Sequence, residues 1–149
     1  MKPDATGDGQ RPSADRSSDR EPDQQRIRVL LAEDNVVNQQ VALGTLKNLG
    51  YRADIAANGL EVLQALHRQS YDIILMDVQM PELDGLDATR RIRQEFPASR
   101  QPRIIAMTAN AFSEDRDRCI EAGMDDYISK PVRKEVLAAA LAWDGSERT

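Results

Sequence analysis

Cysteine is nearly absent from this 149-residue chain. Cys119 stands alone, which excludes an intramolecular disulfide framework and any cysteine-cluster metal site. Histidine is as scarce, and a single His67 argues against a histidine-rich metal centre. No apolar run approaches the roughly 18 residues that a membrane span requires, and residues 1–25 lack the apolar stretch of a secretory signal. Lysine occurs four times, at Lys2, Lys47, Lys130 and Lys134, against sixteen arginines. The formal net charge is −5, a balance that works against phosphate-backbone binding and hence against nucleic acid. The one short basic run, Arg90, Arg91 and Arg93, reads as a solvated helix face. No internal repeat is visible, and no GxxxxGK[ST] loop, so ATP hydrolysis has no support. These absences leave the expectation of a cytoplasmic chain that contacts neither nucleic acid nor membrane.

What is present is distributed unevenly. Hydrophobic residues make up 40% of the chain and charged residues 30%. Residues 1–25 hold only three apolar side chains (Met1, Ala5, Ala14) against ten charged ones. Such a segment cannot bury enough apolar surface to offset its ordering entropy, and is expected to be a disordered tail or interdomain linker. One folded domain is expected over 26–143, with a short disordered end at 144–149.

Within that domain, apolar runs alternate with helix-period patterns. Residues 27–32 (IRVLLA), 51–56, 72–77 (DIILMD), 103–108 (RIIAMT) and 125–129 (DDYIS) read as strands. Between and after them, five helices are expected. The first carries an apolar face at Val37, Val41, Ala42, Leu46 and Leu49, closed by Gly50 as a C′ glycine. Asn58-Gly59 reads as a turn before a helix marked by Val62, Leu63 and Leu66. Leu86, Thr89, Ile92 and Phe96 space the third helix, and FPASRQP reads as a loop. Ser113 is the expected N-cap of a fourth helix that ends at Gly123, and Val136, Leu137, Ala140 and Leu141 mark the fifth. Continuous apolar strands alternating with helices argue for an α/β fold, a parallel sheet covered on both faces. In such sheets, ligands bind beyond the carboxyl ends of the strands.

Those ends carry an unusual set of side chains. Strand one runs into Glu33-Asp34, strand three ends in Asp77, strand four in Thr108, and strand five runs into Lys130-Pro131. Taken singly, each acid is an ordinary helix cap and Lys130 an ordinary surface lysine. Together, three carboxylates on one edge repel one another unless a cation compensates. A hard divalent ion with oxygen ligands is the natural compensation, and Mg²⁺ takes few carboxylates while keeping several waters. A carboxylate nucleophile, a metal and a lysine point to phosphoryl transfer onto aspartate.

Four stretches, LLAEDNVVNQQVA, DIILMDVQMPELDGLDATRRIR, IIAMTANAF and CIEAGMDDYISKPV, resemble the receiver domain of two-component response regulators. They resemble most of all the receivers attached to hybrid sensor histidine kinases. The resemblance covers about Ile27 to Leu141 and implies a flavodoxin-like, doubly wound five-stranded sheet in the order 2-1-3-4-5. It also implies roles. Asp77 would be the phosphoacceptor. Asp34 and Asp77 would bind Mg²⁺ directly with the backbone carbonyl of Gln79, and Glu33 would act through a coordinated water. Lys130 would contact the phosphoryl group, with a cis Lys130-Pro131 bond aiming it inward. Thr108 would donate to a phosphoryl oxygen after transfer, and Tyr127 would change rotamer with it, switching the face of helix four, strand five and helix five. Gln79 and Asn110 would tune self-dephosphorylation. No family position is missing.

The phosphodonor would be a phosphohistidine on a partner, either a histidine kinase dimerisation/phosphotransfer domain or a histidine phosphotransfer protein. His67 lies in a helix away from the acidic edge and is not expected to donate. Asn35, Val36, Asn38 and Gln39 on helix one would form the docking face. The domain would catalyse its own aspartyl phosphorylation and dephosphorylation, as part of a hybrid kinase or as a stand-alone regulator. Two other classes fit less well. A haloacid-dehalogenase-type phosphatase needs an acid/base carboxylate two residues after the nucleophile, where this chain has Gln79. A flavodoxin-like cofactor binder would want a phosphate loop where Glu33-Asp34-Asn35 stands.

Overall fold

The computed structural model describes residues 27–109 and 113–142. The expectations for residues 1–25 and 144–149, and the role of Asn110, lie outside the described residues, as does the side chain of Ser113.

Eleven short elements follow one another: β1 (Val29–Ala32), α1 (Val36–Asn48), β2 (Ala53–Ala56), α2 (Gly59–Arg68), β3 (Ile73–Asp77), α3 (Gly85–Glu95), a 3₁₀ turn (Ala98–Arg100), β4 (Arg103–Thr108), α4 (Ser113–Ala122), β5 (Asp126–Ser129) and α5 (Lys134–Leu141). The five strands form one parallel sheet in the order β2-β1-β3-β4-β5. This is the 2-1-3-4-5 order that the resemblance implies.

Strand side chains alternate between faces, and so split the core in two. Leu30, Ala32, Ile74, Met76, Ile104 and Ala106 point to one face, where Val62, Leu63 and Leu66 of α2, Leu86 and Ile92 of α3, and Cys119 of α4 cover them. Val29, Leu31, Ile73, Leu75, Ile105 and Met107 point to the other, beneath Ala42 and Leu46 of α1 and Leu137, Ala140 and Leu141 of α5. Both faces of β1 and β3 are buried, so these strands read as unbroken apolar runs rather than alternating ones. Among the described residues no helix is long and apolar enough to cross a membrane.

Local chemistry sets the element ends. Gly50, one residue past the α1 C-cap, has φ 95°, and Gly123, after α4, has φ 112°, a left-handed conformation that a Cβ disfavours. Four details depart from expectation. Asn58 is the N-cap of α2, its side chain accepting from Glu61 N at 2.9 Å, so the Asn-Gly pair starts a helix rather than making a free-standing turn. The 97–102 loop contains a 3₁₀ turn. Arg93 is not on a solvated face: it donates to Gly123 O (2.9 Å), Pro102 O (2.9 Å) and the carboxylate of Asp125 (2.9 Å), tying α3 to the entrances of β4 and β5.

The face of α1 is the fourth. Val37 and Val41 are 69% and 56% exposed, and α1 buries Gln39, Ala42 and Leu46 instead. Leu49 still packs at the edge of the core. The buried 39-42-46 spacing is itself helical, but rotated away from the valines.

Candidate functional site

Because β1 and β3 neighbour each other while their following helices α1 and α3 cover opposite faces, a crevice opens at the carboxyl edge between them. Glu33 and Asp34 enter it directly after β1, Asp77 from the last position of β3, Thr108 from the last position of β4, and Lys130 from the residue after β5. All five line one open cleft of about 520 Å³, joined by Asp84 from the start of α3 and by Asp115 and Arg118 from α4.

Backbone pairing continues past the strands and fixes these positions. Glu33 N donates to Ala56 O (3.0 Å), Val78 N to Met107 O (3.1 Å) and Lys130 N to Thr108 O (2.8 Å). The Lys130-Pro131 peptide is cis. Oxygens of the Glu33, Asp34 and Asp77 carboxylates lie within 4.8 Å of one another. The Lys130 ammonium bridges two of them, donating to Glu33 Oε1 and Asp77 Oδ2 at 2.9 Å each. Glu33 Oε2 accepts from Asn35 N (3.1 Å) and Asp77 Oδ1 from Gln79 N (3.2 Å).

The electrostatics divide the two buried acids. Glu33 is 2% exposed, yet the hydrogen bonds from Lys130 and Asn35 N and the ammonium charge outweigh burial, holding its carboxyl below the usual range. Asp77 goes the other way: burial, reinforced by the Glu33 charge, raises its carboxyl despite the Lys130 bond. Burial opposes the charge on Lys130, but its two carboxylate partners prevail and raise its ammonium. The ensemble is a pocket with more negative charge than its lysine neutralises.

Two residues that shape this pocket carry no acid-base signal. Gly85 opens α3, and its N–H donates to Val78 O (2.9 Å). A Cβ there would lie 2.3 Å from Asp77 O and 2.9 Å from Met76 Cγ, so the helix can approach the Asp77 backbone only through a glycine. The Asp84-Gly85 pair after MDVQMPEL is the signal that could have found it. The other is Gln39. It is not presented for docking: at 9% exposure it faces inward, its amide donating to Glu33 O at 2.6 Å. Asn35, Val36 and Asn38 are exposed beside the cleft mouth, Asn35 also capping α1 through Asn38 N (3.0 Å).

Thr108 is buried at the floor of the cleft. Tyr127 is half-buried on β5, with the Arg116 guanidinium 5.7 Å from its ring centroid and donating to its hydroxyl at 3.4 Å. Gln79 is exposed on the loop after β3. His67 sits in the last turn of α2, its ring 4.8 Å from that of Phe96, and does not line the cleft.

The family profile described as "Response regulator receiver domain" matches residues 29–142. Hybrid signal transduction histidine kinase H of Dictyostelium discoideum is 44% identical over 123 residues, which span 78% of this chain and 9% of that protein. Sensor histidine kinase RcsC of Salmonella typhimurium is 37% identical over 134 residues, 88% of this chain and 13% of that protein. The chain thus spans only a small part of the curated relatives it matches.

Among solved structures, the receiver domain of sensor histidine kinase PA1611 from Pseudomonas aeruginosa PAO1, with a magnesium ion coordinated in its active site cleft, is 46% identical. Its TM-score is 0.72, and the match covers 80% of this chain and 98% of that one. The receiver domain of Ssk1 from Saccharomyces cerevisiae, crystallised with the histidine phosphotransfer protein Ypd1, is 28% identical with a TM-score of 0.72, over 79% and 88% of the two chains. With the sheet order, the acidic cleft and a family match over residues 29–142, the chain belongs to the response regulator receiver domains of two-component phosphorelays and is homologous to the receivers of hybrid histidine kinases.

Proposed function

We propose that Asp77 accepts a phosphoryl group from a phosphohistidine on a partner protein. A Asp77 carboxylate oxygen attacks phosphorus, the P–N bond to the imidazole breaks, and an acyl phosphate remains on Asp77. The observation that carries this reading is the Lys130 ammonium held 2.9 Å from both Glu33 and Asp77, inside a cluster of three carboxylates.

The donor set fits Mg²⁺: hard oxygens only, an open approach, and uncompensated negative charge. Asp34, Asp77 and the Gln79 carbonyl would be the direct ligands, and Glu33, the most deeply buried of the three acids and held by Asn35 N and Lys130, would act through a coordinated water. Bound there, the ion would supply Lewis-acid neutralisation of charge on the transferring oxygens. The magnesium-containing PA1611 receiver supports this choice of ion.

Lys130 would hold a phosphoryl oxygen once Asp77 becomes an acyl phosphate, and Thr108, which lines the same cleft, would donate its hydroxyl to another; the Lys130–Asp77 bond supports this. Tyr127 would follow Thr108 inward, releasing its contact with Arg116 and biasing the face of α4, β5 and α5. The exposed Asn35, Val36 and Asn38 at the mouth would meet the histidine module, a partner class that the Ssk1–Ypd1 complex supports. The relatives support a hybrid histidine kinase as the parent protein.

The experiment is incubation of the chain with Mg²⁺ and acetyl phosphate, followed by intact-mass and peptide mass spectrometry. A single phosphoryl increment on Asp77, absent from Asp77→Ala, is expected. Equal labelling of Asp77→Ala would overturn the assignment.

A further inference from the structure

Gln39 lies on the buried side of α1, between the acidic loop and the core, where an apolar side chain would satisfy the helical spacing of Ala42 and Leu46. A buried amide costs desolvation energy unless it is hydrogen-bonded. Its Nε2 donates to Glu33 O at 2.6 Å. That carbonyl belongs to the peptide joining Glu33 to Asp34, so the bond fixes the plane from which the Asp34 backbone departs.

The two acids differ in how they are restrained. Glu33 is held at every polar group: its N–H by Ala56 O, its carbonyl by Gln39, its carboxylate by Asn35 N and Lys130. Asp34 is exposed, and among the described residues its carboxylate makes no hydrogen bond or ion pair. The backbone behind it is thus its only restraint by hydrogen bond, while its oxygen lies within 4.8 Å of those of Glu33 and Asp77.

We propose that Gln39 is a positioning residue of the acidic pocket: its grip on the Glu33-Asp34 peptide aims the Asp34 carboxylate at the divalent cation. This deepens the Mg²⁺ reading above and rests on it. Outer partners that orient a metal ligand change affinity without touching the ion. The same bond would reduce the freedom that Asp34 loses when the ion binds.

The test uses the full chain and two variants. Gln39→Met keeps the length and removes the donor; Gln39→Arg keeps N–H donors. Calorimetric titration with Mg²⁺ is expected to show a dissociation constant raised about tenfold in Gln39→Met; in Gln39→Arg the added positive charge itself opposes Mg²⁺, so that variant is read by backbone dynamics alone. Backbone ¹⁵N relaxation without metal gives an independent readout. The Asp34 amide order parameter should fall in Gln39→Met from the ~0.85 of rigid backbone and hold in Gln39→Arg.

A residue that merely fills the core would lower stability in Gln39→Met and leave both readouts unchanged, and that result would overturn the proposal. So would equal losses of Asp34 order in the two variants, since the donor would then be irrelevant. If Gln39→Met does not fold, a loosened Asp34 in Gln39→Arg overturns it alone. Wild-type chain that shows a rigid Asp34, loosened in Gln39→Met, but binds no Mg²⁺ would sink the metal reading and leave the positioning bond standing.

Discussion

Two glycines in helices should respond to alanine with opposite signs. Gly44 lies on the exposed side of α1 with nothing within 4 Å of where a Cβ would be. Gly44→Ala therefore removes only backbone freedom from the unfolded chain and should stabilise by about 0.5–1 kcal/mol. Gly85 is the reverse. Its added Cβ would sit 2.3 Å from Asp77 O, about 1 Å inside ordinary van der Waals contact, and the neighbours are backbone and a buried Met76 that cannot yield freely. Overpacking of this kind costs about 1–3 kcal/mol.

At roughly 4 °C per kcal/mol for a domain of this size, the melting temperature should rise by about 2–4 °C in Gly44→Ala and fall by about 4–12 °C in Gly85→Ala. Differential scanning calorimetry measures both. The clash also pushes on the peptide that carries the Asp77 carboxylate, the proposed acceptor. A displacement near 1 Å at a reacting group costs about a hundredfold in rate, so Gly85→Ala should lose about ten- to a hundredfold in phosphorylation by acetyl phosphate. Gly44→Ala should match the wild type. A Gly85→Ala variant as stable and as fast as the wild type would show that the close approach of α3 to β3 plays no part in holding Asp77.

Other perturbations follow the same physics. Lys130→Met strands two buried carboxylates, and should cost about 1–3 kcal/mol in urea unfolding, a loss that Mg²⁺ partly restores. Mg²⁺ at about a hundredfold over its dissociation constant should stabilise the wild type by about 2.7 kcal/mol and raise its melting temperature by roughly 10 °C, an effect that chelation with EDTA reverses. Tyr71 donates to Asp54 Oδ2 at 2.5 Å, and burial together with that carboxylate raises its phenol above the ordinary value of 10.0. Its stabilising share should therefore be complete at neutral pH, and be lost as pH climbs past 10 through the higher folded value. Denaturant midpoints of wild type and Tyr71→Phe should keep a constant separation up to about pH 10 and converge above it.

The strands were legible because burial on both faces leaves nothing but apolar residues, as in Ile73–Met76 and Ile104–Met107. The acidic edge was legible because each of its members directly ends or follows a strand. The face of α1 was misread because periodicity counts side chains and ignores what they meet. Gln39 goes inside since a backbone carbonyl awaits it, and with 39, 42 and 46 turned inward Val37 and Val41 fall on the exposed side. Arg93 was misread for a related reason: its partners at Gly123 and Asp125 lie thirty and thirty-two residues downstream, beyond any local pattern. The cleft's dependence on Gly85 needed coordinates, because an absent methyl group leaves no trace in hydropathy.

The ammonium that joins Glu33 to Asp77 arrives ninety-seven residues after the first of them. During synthesis the acids emerge from the ribosome long before their lysine does. A nascent chain thus presents Asp77 without its electrostatic partner until β5 has paired with β4 and brought Lys130 to the carboxyl edge. On the proposed reading, completion of the pocket is thereby tied to completion of the fold: a half-made domain lacks the ammonium that would hold the incoming group.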